Sequence, residues 1–303
     1  MLKTNFGTEI EFTGITRSKA AKIVAQQLNG SVYHAGGCYD TYKITAPDGR
    51  EWKVMFDSSI AAQKTMNGPI LPNRSGEKNI YKCELVTPIL KYQEDIKTLQ
   101  EIVRQLRHKG TFVNGSCGIH IHLDGTGHNL TTLKNFIHII YARNDLFYKA
   151  LNINPTRQQF CKKLDRSLVE RIKTRKPTTL SQLEDIWYEG SWRSRTTHYN
   201  DSRYHFLNLH SFFHGHHTVE LRGFNSTMHA GELRSYIVLA LALNHQALTQ
   251  RNASPKQVQS ENDKFAMRTY LNRIGFIGKE FKNCREHLTK HLTGSAAWRY
   301  RAA

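Results

Sequence analysis

Three features of this 303-residue sequence predict an α+β fold. Short segments alternate apolar and polar residues with period two, as strands with one buried face do. Other segments repeat their apolar residues at helical spacing and carry capping residues at their ends. The two kinds follow one another irregularly, with hairpin signals and no internal repeat, so a regular βαβ array is excluded.

From the N-terminus, residues 4–12 read as a first strand. A helix follows, with Ser18 as N-cap, a periodic run over 20–28 and Gly30 at the C′ position. Residues 39–44 and 51–56 flank Ala46-Pro47-Asp48-Gly49 and form a predicted hairpin. Residues 66–79, rich in Gly, Pro and Asn, read as a loop. Residues 80–86 form a strand stopped by Thr87-Pro88, and 94–108 an amphipathic helix ended by Gly110. One or two strands over 112–124 and one long helix over 131–151 come next. The basic stretch 155–200 reads as short helices and loops. Residues 204–213 and 218–224 are predicted as two antiparallel strands joined by His214-Gly215-His216-His217. An apolar helix over 230–248 packs on the sheet, and helices near 261–273 and 278–292 complete the chain.

At 39% hydrophobic residues the chain can bury a full core and is not intrinsically disordered. The start, MLKTNFGTEIEF, lacks the apolar core of a signal peptide. The best apolar run, 236–243, is too short to span a bilayer. A soluble, cytoplasmic protein without a membrane partner is expected. The five cysteines are scattered without a CxxC pair, so reduced, structural thiols are expected rather than a zinc knuckle. The net charge of +18 gathers in 157–176, eight Lys and Arg against two acids, and in 251–303, eleven against four. Such patches attract anions, nucleic acid or acidic peptides among them.

Three strands share an unusual polar face. In Gly7-Thr8-Glu9-Ile10-Glu11-Phe12, alternation puts Glu9 and Glu11 opposite Ile10 and Phe12. In Gly118-Ile119-His120-Ile121-His122-Leu123-Asp124 it puts His120, His122 and Asp124 on one face. In Thr218-Val219-Glu220-Leu221-Arg222 it pairs Glu220 with Arg222. A solvated sheet face is the ordinary explanation for any one such strand. It normally mixes Lys, Thr and Ser with its acids, however, and these faces carry no lysine. Carboxylates and imidazoles crowded in this way favour a divalent cation among them. Glu84 and Asp57 lie at strand ends and are weaker candidates, since such acids are usually just exposed, and Arg203 could be a surface arginine or an anion clamp.

The series FGTEIEF, WKVMFDSS, CELVTPIL, SCGIHIHLD, RYHFLNL and TVELRGFNST, in that order, resembles the amidoligase family. That family belongs with glutamine synthetase and glutamate–cysteine ligase in one carboxylate–amine ligase superfamily. The likeness spans residues 5–245 and implies a catalytic unit over 1–250, with 251–303 as a basic helical extension. It implies an antiparallel sheet of glutamine synthetase type with helices on one face. Glu9, Glu11, Glu84, His120 and Glu220 would bind the active-site metals, and His122 would face the phosphates of ATP. Arg222 and Arg203 would clamp the transferring phosphoryl group, and Asp57 would lie near the substrate or its amine. Thr156-Arg157 with Cys161 resembles a linker arginine and cysteine of such proteins.

The implied reaction makes an amide from a carboxylate and an amine through an acyl phosphate. Bringing a carboxylate to ATP requires Mg²⁺, for which Mn²⁺ could substitute given the histidine, and at least one arginine. The chain has no GxxxxGK phosphate loop, so nucleotide binding would rest on the sheet itself. Two rival readings remain: a metal-dependent hydrolase or nuclease using His120, His122, Asp124 and Glu220, and a non-catalytic nucleic-acid-binding protein. The acidic faces favour the ligase. Its carboxylate could belong to an acidic peptide or protein.

Overall fold

The computed structural model describes residues 1–72 and 79–298. Its strands are β1 (Phe6–Phe12), β2 (Ser31–Gly36), β3 (Thr41–Thr45), β4 (Glu51–Met55), β5 (Cys83–Val86), β6 (Gly118–Asp124), β7 (Leu207–Asn208) and β8 (Thr218–Asn225). All pair antiparallel in one open sheet of order β2-β3-β4-β5-β1-β6-β8-β7. The helices are α1 (Arg17–Leu28), α2 (Tyr92–His108), α3 (Leu130–Tyr141), α4 (Asn144–Ala150), α5 (Arg166–Arg175), α6 (Leu180–Tyr188), α7 (His210–Phe213), α8 (Ala230–Thr249), α9 (Asp263–Arg273) and α10 (Lys282–His287). The α+β fold with an antiparallel sheet is therefore the one the sequence predicts.

Period-two patterning builds the core. Ile10, Phe12, Ile44, Val54, Leu85, Ile119, Ile121 and Leu221 are fully buried. The helix α1 covers β2 to β4, and α8 packs on β6 and against α2 and α3. Residues 251–298 add Met267, Leu271, Phe276 and Leu288 to the same core. Among the described residues no helix is long and apolar enough to cross a membrane.

Several local expectations are corrected. The N-cap of α1 is Thr16, whose hydroxyl accepts from the Lys19 N–H, not Ser18, and the left-handed residue at its end is Asn29, one before Gly30. The strand β2 escaped prediction because it is an exposed edge with no apolar face to read. The strand expected over 80–86 begins only at Cys83, and Phe112 makes a single bridge to Thr13 before β6. The expected loop over 66–79 is without helix or strand where described, and residues 73–78 lie outside the described residues.

Tertiary contacts override the other expectations. The helix over 131–151 breaks at Ala142 and Arg143. The break lets the Asn144 amide donate to Leu164 O and stacks the Arg143 guanidinium 3.9 Å from the Tyr270 ring centroid. The strand over 204–213 shrinks to β7 because Asn208 Oδ1 accepts from the His210 N–H at 2.8 Å and so starts the turn of α7. The helix over 278–292 is reduced to α10.

Candidate functional site

Register assembles the polar face from five adjacent strands. On β1, Glu11 pairs with Glu84 of β5 and Glu9 with His120 of β6. His122 pairs with Glu220 of β8, and Glu220 with Asn208 of β7. Side chains opposite one another in such pairs lie about 5 Å apart, so register alone brings the carboxylates and imidazoles together.

A β-bulge aims the arginine. Ile119 pairs with Phe224 but Ile121 with Leu221, so β8 carries one more residue than β6 across this step. The extra residue falls at Arg222-Gly223 and returns Phe224 to the core, where it is fully buried. Gly223 is required there, since a Cβ would meet the Phe206 ring at 1.9 Å. Arg157, 3% exposed, holds the bulge by donating to Phe224 O at 2.7 Å and Arg222 O at 3.1 Å. Its guanidinium crosses Gly118, where a Cβ would come within 2.1 Å of Nη2.

At the centre of the face stands His120. Its Nδ1 lies 2.7 Å from Glu9 Oε2 and 3.7 Å from Glu220 Oε1, and its Nε2 lies 3.9 Å from Glu11 Oε1. Ligand atoms of Glu9, His120 and Glu220 all fall within 4.8 Å of one another, as do those of Glu11, Glu84 and His120. One cation at about 2.0–2.6 Å from each atom can bridge such a trio. A neutral imidazole has one lone pair, so His120 serves one trio at a time and leaves the other to its carboxylates. His122 Nε2 sits 3.2 Å from Glu9 Oε1 and 4.0 Å from Glu220 Oε1. Glu220 is further held by Arg222 Nη1 and Asn208 Nδ2, each donating at 2.6 Å. The Gly118 N–H donates to Glu11 Oε2 at 2.6 Å.

The charges divide unevenly. Burial opposes ionisation of Glu220, yet Arg222, His122 and His120 pull its carboxyl down to about 2. Burial likewise opposes Glu9, but the His122 and His120 imidazoles hold it well below the usual range. Burial lowers His122, and the Glu220 and Glu9 carboxylates outweigh it and raise the imidazole to about 9. Burial and the Arg222 charge lower His120, which leaves its lone pair free. For Glu11, burial and then the Asp57 charge outweigh Arg157, the Gly118 N–H and Arg222 and raise it to about 8. Burial with the charges of Glu9, Asp57 and Glu11 raises Glu84 well above the usual range. The Glu11–Glu84 pair is thus where a divalent cation gains most, and the oxygen-rich donor set fits Mg²⁺.

The structure does not bring every candidate into this cluster. Asp57 lies just after β4, close enough to raise Glu11 and Glu84, with Oδ1 accepting from the Ser59 N–H at 2.6 Å. Arg203 donates to His198 O at 3.0 Å, and its guanidinium lies over the Tyr199 and Tyr204 rings, on a loop beside the face. Asp124 accepts from the Thr126 N–H at 2.9 Å at the strand's end and joins neither trio. Cys83, Cys117, Cys161 and Cys284 are buried with thiols raised chiefly by burial, which leaves Cys38 as the exposed one. The sequence reading did not assign Asn208, the supporting role of Arg157 or the buried Lys82, which donates to Ser58 O at 2.7 Å. A lysine and an asparagine inside otherwise apolar runs were the available signals.

Comparison with known proteins agrees with the geometry. A family model described as Putative amidoligase enzyme matches residues 2–244, which contain every strand of the sheet and both trios. No match to the chain was found among curated proteins. The chain belongs to the amidoligase family.

Proposed function

We propose that the protein is an ATP-dependent carboxylate–amine ligase that forms an amide through an acyl phosphate. The observation that carries the reading is the pairing of two carboxylate–histidine trios with a buried arginine on one sheet face. A face built only to be solvated would not bury Glu11, Glu84, His120, Glu220 and Arg222 to less than a tenth of their surface.

Glu9, His120 and Glu220 would hold one metal ion and Glu11 with Glu84 another. Bound there, Mg²⁺ would neutralise the polyphosphate of ATP, with Mn²⁺ as a substitute. Arg222 makes no hydrogen bond through Nη2 among the described residues, so one guanidinium nitrogen is free for a phosphoryl oxygen. Glu220 and Asn208 orient that guanidinium from behind. His122, between Glu9 and Glu220, would face the nucleotide phosphates. Arg203 would join from its loop as a second clamp.

In the first step a carboxylate oxygen of the substrate attacks the γ-phosphorus and ADP leaves. In the second the amine nitrogen attacks the acyl carbon, inorganic phosphate leaves and the amine gives up a proton. Asp57 would take that proton through Oδ2, which has no partner among the described residues. The rival hydrolase is less favoured because Asp124 stands apart from His120 and Glu220.

Thermal stability with and without ATP and Mg²⁺, beside a Glu9→Gln/Glu220→Gln double variant, tests the reading. Ligand about a hundredfold above its dissociation constant stabilises the fold by roughly 2.7 kcal/mol. A further shift with ATP that needs metal and disappears in the variant supports a ligase and justifies screening for ADP release. A shift with metal that ATP does not enlarge rejects it in favour of the hydrolase.

A further inference from the structure

Away from the proposed catalytic face, the fold builds a basic groove by bringing Lys19, Lys64 and Arg234 to the cations Lys97, Arg104, Arg107 and Lys109 of α2 and its C-cap. Two clefts, of about 750 and 1100 Å³, meet at Arg107, Met228 and His229. The first opens past Gly14, at the end of β1, and the second follows α2 to the start of α8. Lys19, Lys64, Arg107 and Lys109 line the first without an acid among the described residues. Lys97, Arg104 and Arg234 extend the row along the second, where Glu280 is the one acid among the described residues. None of these cations comes from the basic stretches 157–176 or 251–303.

Much of this charge has no internal partner. The side chains of Lys97, Arg107 and Lys109 are exposed and make no ion pair or hydrogen bond among the described residues. Among the described residues, Lys19 reaches only Lys109 O, at 3.4 Å. Like charges gathered along one groove repel, and an anionic chain laid in it removes that repulsion. The lining also says which kind of chain. Ile15, Phe112, Val113 and Met228 give the first cleft an apolar floor, and Met66 stands 68% exposed at its rim. Phe112 and Tyr92 are themselves buried, and the exposed rings of the described lining are the small imidazoles of His108 and His229, so no exposed Phe, Tyr or Trp there offers a broad platform for a nucleic-acid base. Cations over an apolar floor suit a peptide that carries both acidic and apolar side chains.

We propose that this groove docks an acidic peptide segment of the substrate in extended conformation. Gly14 and Met228, both in the lining, lie within three residues of the ends of β1 and β8, the strands that carry Glu11 and Arg222. A peptide in the groove therefore lies along the ends of the catalytic strands. Binding rests on the groove alone, whereas its role in delivering a carboxylate rests on the ligase proposal.

The test is fluorescence anisotropy of a fluorescein-labelled peptide alternating Glu and Leu, with the full chain at low ionic strength and without ATP or metal. Lys64→Glu/Arg107→Glu/Lys109→Glu should weaken binding by about tenfold or more. The control Lys173→Glu/Lys176→Glu/Lys256→Glu, equal in charge but elsewhere on the surface, should change it by less than about threefold. All six positions are exposed, and equal melting temperatures verify the fold of both variants. Equal weakening in the two variants, or no binding by the wild type, overturns the proposal. Tighter, groove-dependent binding of RNA of matched charge overturns it in favour of a nucleic-acid groove. Peptide binding is read without nucleotide, so failure of the ATP and Mg²⁺ shift leaves this result standing, and the reverse holds as well.

Discussion

Substituting Glu11→Gln should change the sign of its effect on stability with the presence of a divalent cation. Glu11 is 4% exposed and its carboxyl is raised from 4.5 to about 8. A group whose folded value lies above its unfolded one stabilises the protein fully below the unfolded value and loses that contribution as pH rises through the folded one. The window for Glu11 is therefore about pH 4.5 to 8, and His122, raised from 6.5 to about 9, loses its contribution in the same direction. Metal-free wild type should weaken from about pH 6.5 to 9, once the histidines that burial lowers, His120 among them, are neutral in both states. At about 1.4 kcal/mol per unit, the Glu11 share above pH 8 is on the order of 2–5 kcal/mol once partial hydration is allowed for. Gln removes this penalty while its amide oxygen still accepts from the Gly118 N–H. In chelator at pH 8.5 the variant should melt about 4–10 °C above wild type, and at pH 5 the two should nearly coincide. In Mg²⁺ the order should reverse, because wild type gains the binding energy and the variant does not. Scanning calorimetry at the two pH values, with chelator and with Mg²⁺, reads all four cases. A variant less stable than wild type by more than about 1 kcal/mol in chelator at pH 8.5 would refute the picture of an uncompensated carboxylate pair.

Arg222→Lys should keep the fold, since the ammonium can still reach Glu220, but lower the rate of ADP formation by about 100-fold through loss of the planar fork. Steady-state assay of ADP release with Tm as the folding control checks it, and a loss below tenfold rejects a phosphoryl role. Gly223→Ala should destabilise by roughly 1–3 kcal/mol, because its Cβ would overlap the Phe206 ring at 1.9 Å; urea unfolding that matches wild type shows the bulge to be compliant. Asn208→Leu removes a donor from a buried carboxylate and should cost about 1–3 kcal/mol, read in the same way. Arg17→Met, which frees Asp40 and the carbonyls of Asn79 and Lys82, should cost roughly 3 kcal/mol in calorimetry, and a change under about 1 kcal/mol shows that the loops do not depend on it.

The polar face was legible because it obeys a local rule. Period-two alternation in three short segments names Glu9, Glu11, His120, His122, Glu220 and Arg222 before any pairing is known. The strand β2 and the breaks at Ala142-Arg143 and after Asn208 were not legible. The first lacks an apolar face, the second depends on distant partners, as Asn144 on Leu164 and Arg143 on Tyr270 do, and the third on a side-chain bond from the His210 N–H to Asn208 that overrides the strand pattern. Asp124 shared the pattern of His120 and His122, and Arg203 was a weaker candidate, because a strand end carries no information about where its side chain turns.

The sequence by itself determined the α+β class, the central strands and the side chains that share the polar face, because side-chain direction along a strand follows from covalent geometry. Only the tertiary structure decided that Glu11 meets Glu84, that His120 stands between two trios and that a bulge at Arg222-Gly223 sets the guanidinium on Glu220. It also brought Lys19 of α1 and Lys64 to the groove that Lys97, Arg107 and Lys109 of α2 and its C-cap line. Register and helix docking join residues up to a hundred or more positions apart. They are selected by the sum of burial and hydrogen bonding over the whole sheet, and no window of sequence contains that sum.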